Sequence, residues 1–179
     1  MSEDIAFRLL ADGDWDAVVE LEHDAYAADG LSEGRVALQS RARPSPGTCY
    51  VLEHRGRVRG YVLSLPYPLY RCPDLTRAEE RSHEEGSHEE RSHEEGGHHS
   101  RNLHLHDLVI AEELRGRDVA LRFVRHVRAQ AQRQGFERIS VVAVRRTDVL
   151  LAMLGYRTHR EVPVPACYGP RAVYMSMAI

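Results

Sequence analysis

Two histidines stand two residues apart in an apolar stretch, Leu103 to Ile110, that the sequence predicts to be a β-strand. Alternate side chains of a regular strand share a face, so His104 and His106 are expected on one face and Asp107 on the other. Imidazole exchanges a proton near neutral pH, and such a pair suits the deprotonation of an ammonium group before the amine attacks an acyl group. Two other interpretations stay open: packed or solvated histidines without a chemical role, and an adventitious metal pair.

The strand leads through a short Arg/Gly turn, Arg115-Gly116-Arg117-Asp118-Val119-Ala120, into a predicted basic helix that starts at about Asp118 and ends near Gln134. A glycine lets the backbone approach a ligand closely. The first amides of the helix supply hydrogen-bond donors at the positive end of the helix dipole. The turn therefore predicts a pyrophosphate site. The alternative is an ordinary capped helix with a solvated basic face.

Asp118 opposes an anion at this turn. A carboxylate about 5 Å from one phosphate charge costs roughly 3 kcal/mol at an effective dielectric constant near 20, which is about a hundredfold in affinity. As an N-cap it would also occupy the amides that a phosphate needs. Arg115, Arg117 and Arg122 can offset the charge, so the sequence predicts a retained but weakened anion site.

The elements that must position these groups follow the order β-α-α-β-β-β-α-β-α-β-β. Asp14 and Ser32 are expected to cap the first two helices, and Arg55-Gly56-Arg57 turns a hairpin. The last strands are expected at 156–162 and 172–179. This order predicts a single α/β (α+β) domain over residues 1–179, a three-layer sandwich with a mixed sheet of about seven strands.

Residues 77–101 interrupt this pattern with a five-residue repeat of the type Ser-His-Glu-Glu-Gly. The segment has almost nothing apolar to bury, so it is expected to be a disordered His/Glu-rich insert. A solvated acidic linker is one interpretation. Metal or partner binding through His83, His88 and His93 is another, and a mobile acidic lid that attracts a cationic amine is a third.

The composition of the chain argues against several classes of protein. A formal net charge of −3 argues against a general nucleic-acid surface. Three widely spaced cysteines, without a CxxC pair, argue against a disulfide framework and a zinc knuckle. No apolar run is long enough to span a membrane, and the expected setting is soluble and cytoplasmic, without a membrane partner.

The turn, in this order of elements, resembles the Gcn5-related N-acetyltransferase (GNAT) superfamily. The pyrophosphate loop of that family reads Arg/Gln-x-x-Gly-x-Gly/Ala; Arg115 and Ala120 match its ends, and Asp118 replaces the central glycine. The resemblance extends to Gly60-Tyr61-Val62 and to Leu154-Gly155-Tyr156. It implies a GNAT-type fold and transfer of an acetyl group from acetyl-CoA, as co-substrate, to a small primary amine by direct attack, with no metal required. The cofactor-binding residues that it implies are Leu108, Val109, Ile110, Arg115, Gly116, Arg117, Asp118, Val119 and Ala120.

The His-x-His pair resembles the arylalkylamine (serotonin) N-acetyltransferase branch, in which paired histidines are proposed to relay the proton. By that resemblance His104 and His106 are catalytic candidates. The branch keeps a tyrosine as general acid five residues before the aromatic of its Gly-aromatic pair. Here that position is Leu151, five before Tyr156. Tyr168 is therefore the candidate acid, with Tyr174 as an alternative, although either could be a core residue.

Two rival functions stay open. Asp118 and Leu151 are compatible with a non-catalytic member of the same fold that has a degraded CoA site and acts as a binding or regulatory protein. The insert is compatible with a metal-responsive protein. The sequence does not identify the amine acceptor, and a homodimer is compatible with it.

Overall fold

The computed structural model describes residues 4–76, 101–116, 118–144 and 147–179, and the predicted order of elements is confirmed. Apart from Arg101, the predicted disordered insert lies outside the described residues. The strands are β1 (Ile5–Leu9), β2 (Tyr50–His54), β3 (Arg57–Pro66), β4 (Asn102–Ile110), β5 (Arg138–Ala143), β6 (Arg157–His159) and β7 (Val173–Ala178). The helices are α1 (Trp15–Tyr26), α2 (Arg35–Ala42), α3 (Val119–Arg133) and α4 (Asp148–Met153).

The seven strands form one mixed sheet in the order β1-β2-β3-β4-β5-β7-β6. All neighbours are antiparallel except β4 and β5, which are parallel. The β4–β5 pairing joins Asn102–Leu105 to Arg138–Val141 and stops there, although β4 continues to Ile110. The two strands therefore part in the middle of the sheet, and their separation opens a gap.

Each face of the sheet is covered by two helices. Helix α3 turns an apolar stripe, including Phe123 and Val127, onto Leu103 and Leu105 of β4, and its arginines lie on the other side. Helices α1 and α2 cover the opposite face. The second core cluster contains Trp15, Val18, Leu38, Val51, Tyr61 and Leu63. No helix within the described ranges is long and apolar enough to cross a membrane.

Neither predicted capping side chain bonds to its helix: Asp14 stands at the N-cap position of α1, whereas the N-cap position of α2 is held by Gly34 and not by Ser32. Asp14 occupies the predicted N-cap position of α1, but its carboxylate accepts hydrogen bonds from Arg8 and from the Ala11 amide and makes no capping bond to α1. Ser32 lies before the start of α2, and its hydroxyl donates to Glu22 instead, at 2.7 Å. In both cases a tertiary partner takes the side chain that the local pattern assigned to a cap.

A β-bulge in β4 changes the expected alternation of side chains. Across the β3–β4 ladder, Leu63 pairs with Asp107 and the next residue of β3 pairs with Leu105, so His106 is the extra residue. The expectation that Asp107 lies on the face opposite the two histidines, which assumed a regular strand, is therefore corrected. The bulge directs Asp107 toward the α1–α2 layer, where Tyr26 donates a hydrogen bond to it.

Candidate active site

A cleft of about 140 Å³ lies where β4 and β5 separate. Because residues of both helical layers line it, it passes through the sheet from one face to the other. Carboxylates and tyrosines predominate toward α1 and α2, and apolar side chains predominate toward α3 and α4. The lining includes Glu22, Tyr26, Glu33, Leu105, His106, Asp107, Leu108, Ala120, Val124, Val142, Leu151 and Tyr168.

His106 forms a dyad with Glu33 in this cleft. Its Nε2 lies 2.5 Å from Glu33 Oε1, and its side chain is 1% exposed. A carboxylate only accepts, so Nε2 carries the hydrogen and Nδ1 keeps its lone pair when the ring is neutral. Within the described residues, Nδ1 is buried and lacks a hydrogen-bond partner. The arrangement thus leaves one ring nitrogen able to take a proton from a bound molecule.

Glu33 is fixed by the segment that precedes α2. Both Glu22 oxygens hold this segment, through hydrogen bonds from the Ser32 hydroxyl and from the Glu33 amide at 2.6 Å. The second oxygen of Glu33 accepts from the fully buried Arg41 at 3.3 Å. Burial opposes ionisation of Glu33, but the hydrogen bond and charge of His106, with the charge of Arg41, bring its pKa below the ordinary value. Glu33 is therefore a carboxylate that orients His106.

Asp107 follows His106 and is held by two phenols. Tyr26 Oη donates to its Oδ1 at 2.8 Å, and Tyr61 Oη donates to its Oδ2. Burial raises the pKa of Asp107 to about 6, although the bonds from the tyrosines and the charge of His106 act the other way. Its hydrogen-bond donors are neutral, so this carboxylate has less charge compensation than Glu33.

His104 has a different environment from His106. It pairs with Ser140 in the closed part of the sheet, its Nδ1 lies 2.9 Å from the Ser140 hydroxyl, and its ring stacks near Tyr174. Burial lowers the pKa of His104 to about 3, with smaller effects from the charges of His106 and Arg41. An imidazole with so low a pKa is a weak base. His104 is also absent from the lining of the cleft.

The two tyrosines considered as general acids use their hydroxyl groups in hydrogen bonds to the backbone. Tyr168 lines the cleft, but its hydroxyl donates to the Pro73 carbonyl at 2.9 Å, and burial raises its pKa well above the ordinary value. Tyr174 is fully buried, and its hydroxyl accepts from the Tyr70 amide. Leu151 lines the apolar part of the cleft, so no tyrosine stands at that position.

The turn before α3 has the backbone shape of a glycine loop. Gly116 has φ +77° and Asp118 has φ +55°, a left-handed conformation that favours glycine and that Asp and Asn tolerate best among other residues. Contrary to the capping expectation, the exposed Asp118 makes no side-chain hydrogen bond to the first turn of α3. Arg115 turns back to the Ile110 carbonyl, at 3.0 Å. Arg117 lies outside the described residues.

Beyond Leu105, the edge of β4 that faces β5 has no strand of the described residues paired to it, so the backbone groups of this open edge are free to bind an extended ligand. The His106 side chain is 1% exposed although the residue as a whole is partly exposed, so its accessible surface comes from the main chain. Leu108 lines the cleft, whereas Val109 and Ile110 are buried in the core clusters on opposite faces. Their contribution to a ligand would come from backbone groups. Ala120 also lines the cleft, and Val119 is buried beside it.

Glu22, Glu33, Arg41, Tyr26 and Tyr61 belong to this site and were missed from the sequence. They come from α1, from the segment before α2, from α2 itself and from β3, and only the fold brings them to one place. Tyr61 lies within the Gly60-Tyr61-Val62 motif, but nothing local marks it as a ligand of Asp107. Among the described residues, no group of three or more His, Cys, Asp or Glu side chains is arranged to hold a metal ion.

The model of the Acetyltransferase (GNAT) family matches residues 15–156, and the chain therefore belongs to this family. The match includes α1, the β4 strand and the turn before α3. It confirms the resemblance inferred from the Arg115–Ala120 motif. Members of the family are acyl-CoA-dependent acyltransferases. A comparison with curated proteins gives no match.

Solved structures of low sequence identity share the fold. The loading GNATL domain of CurA from Lyngbya majuscula has a TM-score of 0.73 at 14% identity, with 97% of each chain covered. Polyamine N-acetyltransferase from Drosophila melanogaster, which forms N-acetylagmatine, has a TM-score of 0.64 at 16% identity, covering 98% of this chain and 99% of that chain. PaiA N-acetyltransferase from Thermoplasma acidophilum, in complex with coenzyme A, has a TM-score of 0.64 at 10% identity over both full chains.

Proposed function

We propose that this protein transfers an acetyl group from acetyl-CoA to a small primary amine by direct attack, with His106 as the proton acceptor. The observation that carries the proposal is the His106–Glu33 dyad, whose Nδ1 is buried without a partner in a cleft between two separated strands. Such a nitrogen suits an N–H donor on a bound acceptor. The Drosophila neighbour, which acetylates amines, supports the same class of acceptor.

The His106 Nδ1 accepts a proton from the acceptor ammonium, and the neutral nitrogen then attacks the thioester carbon. The new C–N bond forms, the C–S bond breaks, and the sulfur leaves as thiolate, without an acyl-enzyme. The second proton of the attacking nitrogen passes to the departing thiolate, which gives the neutral amide and the free thiol, and His106 returns its own proton to solvent. Glu33 keeps the hydrogen on Nε2 and stabilises the imidazolium that results. Backbone amides of the open β4 edge near Val109 polarise the thioester carbonyl.

The described residues fit an acyl-CoA. The open edge of β4, at Leu108, Val109 and Ile110, can pair through its backbone with the amides of the pantetheine arm. The uncapped N-terminus of α3 offers amides to a pyrophosphate, and Gly116 lets the chain approach it closely. The residues proposed for this end are Arg115, Gly116, Arg117, Val119 and Ala120. Asp118 lies among them and weakens the binding.

The leaving thiolate receives no proton from Leu151, and we propose that it departs without a side-chain acid. Tyr168 is assigned to the cleft wall because its hydroxyl is bound to Pro73. Among the alternatives, His104 is set aside because burial holds its pKa near 3. A thiolate is a tolerable leaving group, so this arrangement is compatible with turnover.

Calorimetric titration of acetyl-CoA into the full chain, with desulfo-CoA and ATP as controls, separates the enzyme from a non-catalytic protein of the same fold. We expect saturable binding that weakens with salt, because arginines near Asp118 contribute charge. Absence of binding at millimolar acetyl-CoA would favour the rival function, a binding or regulatory protein with a degraded cofactor site.

A further inference from the structure

The end of the cleft that faces α1 and α2 has an excess of negative charge. Three carboxylates, Glu22, Glu33 and Asp107, line it, and Arg41 pairs with Glu33. Glu22 already uses both oxygens to hold the segment before α2. Among its described hydrogen-bond partners Asp107 has only two phenols, so the groups bonded to it bring no positive charge.

From this arrangement we propose that Asp107, positioned by Tyr26 and Tyr61, binds a second cationic group of the acceptor, which is therefore a diamine or an amino-guanidine. The inference rests on the proposed function and names its substrate class. It goes beyond a general amine acceptor because it assigns separate places to the nitrogen that reacts and to the group that keeps its charge.

The reacting nitrogen and the second cation have opposite requirements. The nitrogen that attacks must lose its proton, and a carboxylate contact would stabilise its charged form. His106 Nδ1 is a lone-pair acceptor and suits that nitrogen. Asp107 suits a group that stays charged throughout the reaction.

The surroundings of Asp107 also suit an organic cation. The ring of Tyr26 lines the cleft beside the carboxylate, and aromatic faces attract ammonium and guanidinium groups. Leu31, Leu75 and Leu105 supply apolar lining for the methylene chain that joins the two ends of such an acceptor. Asp107 and His106 are consecutive residues at the bulge, so the two proposed subsites are neighbours.

The test compares 1,4-diaminobutane with butylamine, which has the same carbon chain and one amine fewer. Values of kcat/KM are measured with acetyl-CoA for the wild type, for Asp107→Asn and for the control Asp24→Asn, which removes an exposed carboxylate of α1. Wild type and the control should prefer the diamine by about tenfold or more, as expected for a partly buried charge pair. Asp107→Asn should abolish that preference, so that the ratio of kcat/KM for 1,4-diaminobutane to kcat/KM for butylamine falls to about one.

Equal losses for both acceptors in Asp107→Asn, or no preference in the wild type, would overturn the inference and leave the proposed function standing. A readout without turnover distinguishes the two failures. Calorimetric titration of 1,4-diaminobutane into the same three proteins should show binding by wild type and Asp24→Asn and none by Asp107→Asn. If binding follows this pattern while no amine is acetylated, the cation site holds and the proposed function fails; if no protein binds the diamine, the inference is wrong.

Discussion

His106 Nε2 lies 2.5 Å from Glu33 Oε1, while Nδ1 of the same ring is buried without a hydrogen-bond partner among the described residues. The carboxylate therefore decides which ring nitrogen carries the hydrogen and which one is left to accept. A buried polar atom without a partner costs free energy, so a bound N–H donor would recover that loss. Under the proposed function, this relationship assigns the proton transfer to His106, the second histidine of the pair.

The two histidines of the pair should respond differently to substitution. His106→Gln keeps a donor at the Nε2 position for Glu33 and removes Nδ1, so kcat should fall by about a hundredfold or more. His104→Asn keeps an atom at the Nδ1 position for Ser140 and should change kcat by less than about threefold. Steady-state kinetics at saturating acetyl-CoA measures both. Equal losses in the two variants, with both folded by circular dichroism, would contradict the assignment.

Glu33 should affect kcat, through His106, and should not affect the binding of acetyl-CoA. Glu33→Gln keeps the size of the side chain but removes the charge that stabilises the imidazolium, and we expect kcat to fall by about tenfold to a hundredfold. The KM for acetyl-CoA should stay unchanged because Glu33 lies toward α2. A pH–rate profile is the deciding measurement. The acidic limb, on which the general base gains its proton, should move to lower pH in Glu33→Gln, and an unmoved profile would indicate a structural role only.

Asp118 should limit acetyl-CoA affinity through its charge. Asp118→Asn and Asp118→Gly both remove the carboxylate and both tolerate φ +55°. Each should tighten binding by about tenfold to a hundredfold at low salt. The gain should shrink as ionic strength rises. Calorimetry at two salt concentrations measures it.

Asp118→Ala controls for the backbone at this turn. It removes the same charge but places a β-carbon side chain in the left-handed region, at a cost of about 1 kcal/mol. Because this strain is present with and without the cofactor, its gain in affinity should equal that of the glycine variant, while its stability should be lower. Unchanged affinity in all three variants would show that Asp118 is remote from the phosphate groups.

Asp107 should lower the stability of the fold above its pKa. Its pKa is raised from 3.8 to about 6, so the folded state holds the proton more tightly than the unfolded state. The stability that this provides is complete below about pH 4 and is lost as the pH rises through about 6, a change of at most about 3 kcal/mol. Asp107→Asn does not ionise. The free energy of unfolding of Asp107→Asn, measured in urea, should therefore rise relative to that of wild type as the pH increases from about 4 to about 6. A difference between the two proteins that does not change with pH would contradict this.

The order of elements could be predicted because each helix and strand carries a local pattern, such as the apolar stripe of α3. The turn proposed to bind the cofactor could be picked out for the same reason, since Arg115, Gly116 and Ala120 lie together at the start of α3, and its role stays a prediction. The dyad could not be predicted in this way, because Glu33 and His106 are brought together by tertiary contacts. The bulge at His106 depends on the pairing of β3 with β4, so a strand read alone placed Asp107 on the opposite face.

Amine-dependent acetyl transfer tests the central claim most directly. The full chain is incubated with acetyl-CoA and 1,4-diaminobutane, free thiol is followed with a colorimetric reagent, and the product is identified by mass spectrometry. The account predicts thiol release that depends on the amine, yields N-acetyl-1,4-diaminobutane and is lost in His106→Gln but retained in His104→Asn. Binding of acetyl-CoA without acetylation of any primary amine in a broad panel would contradict it.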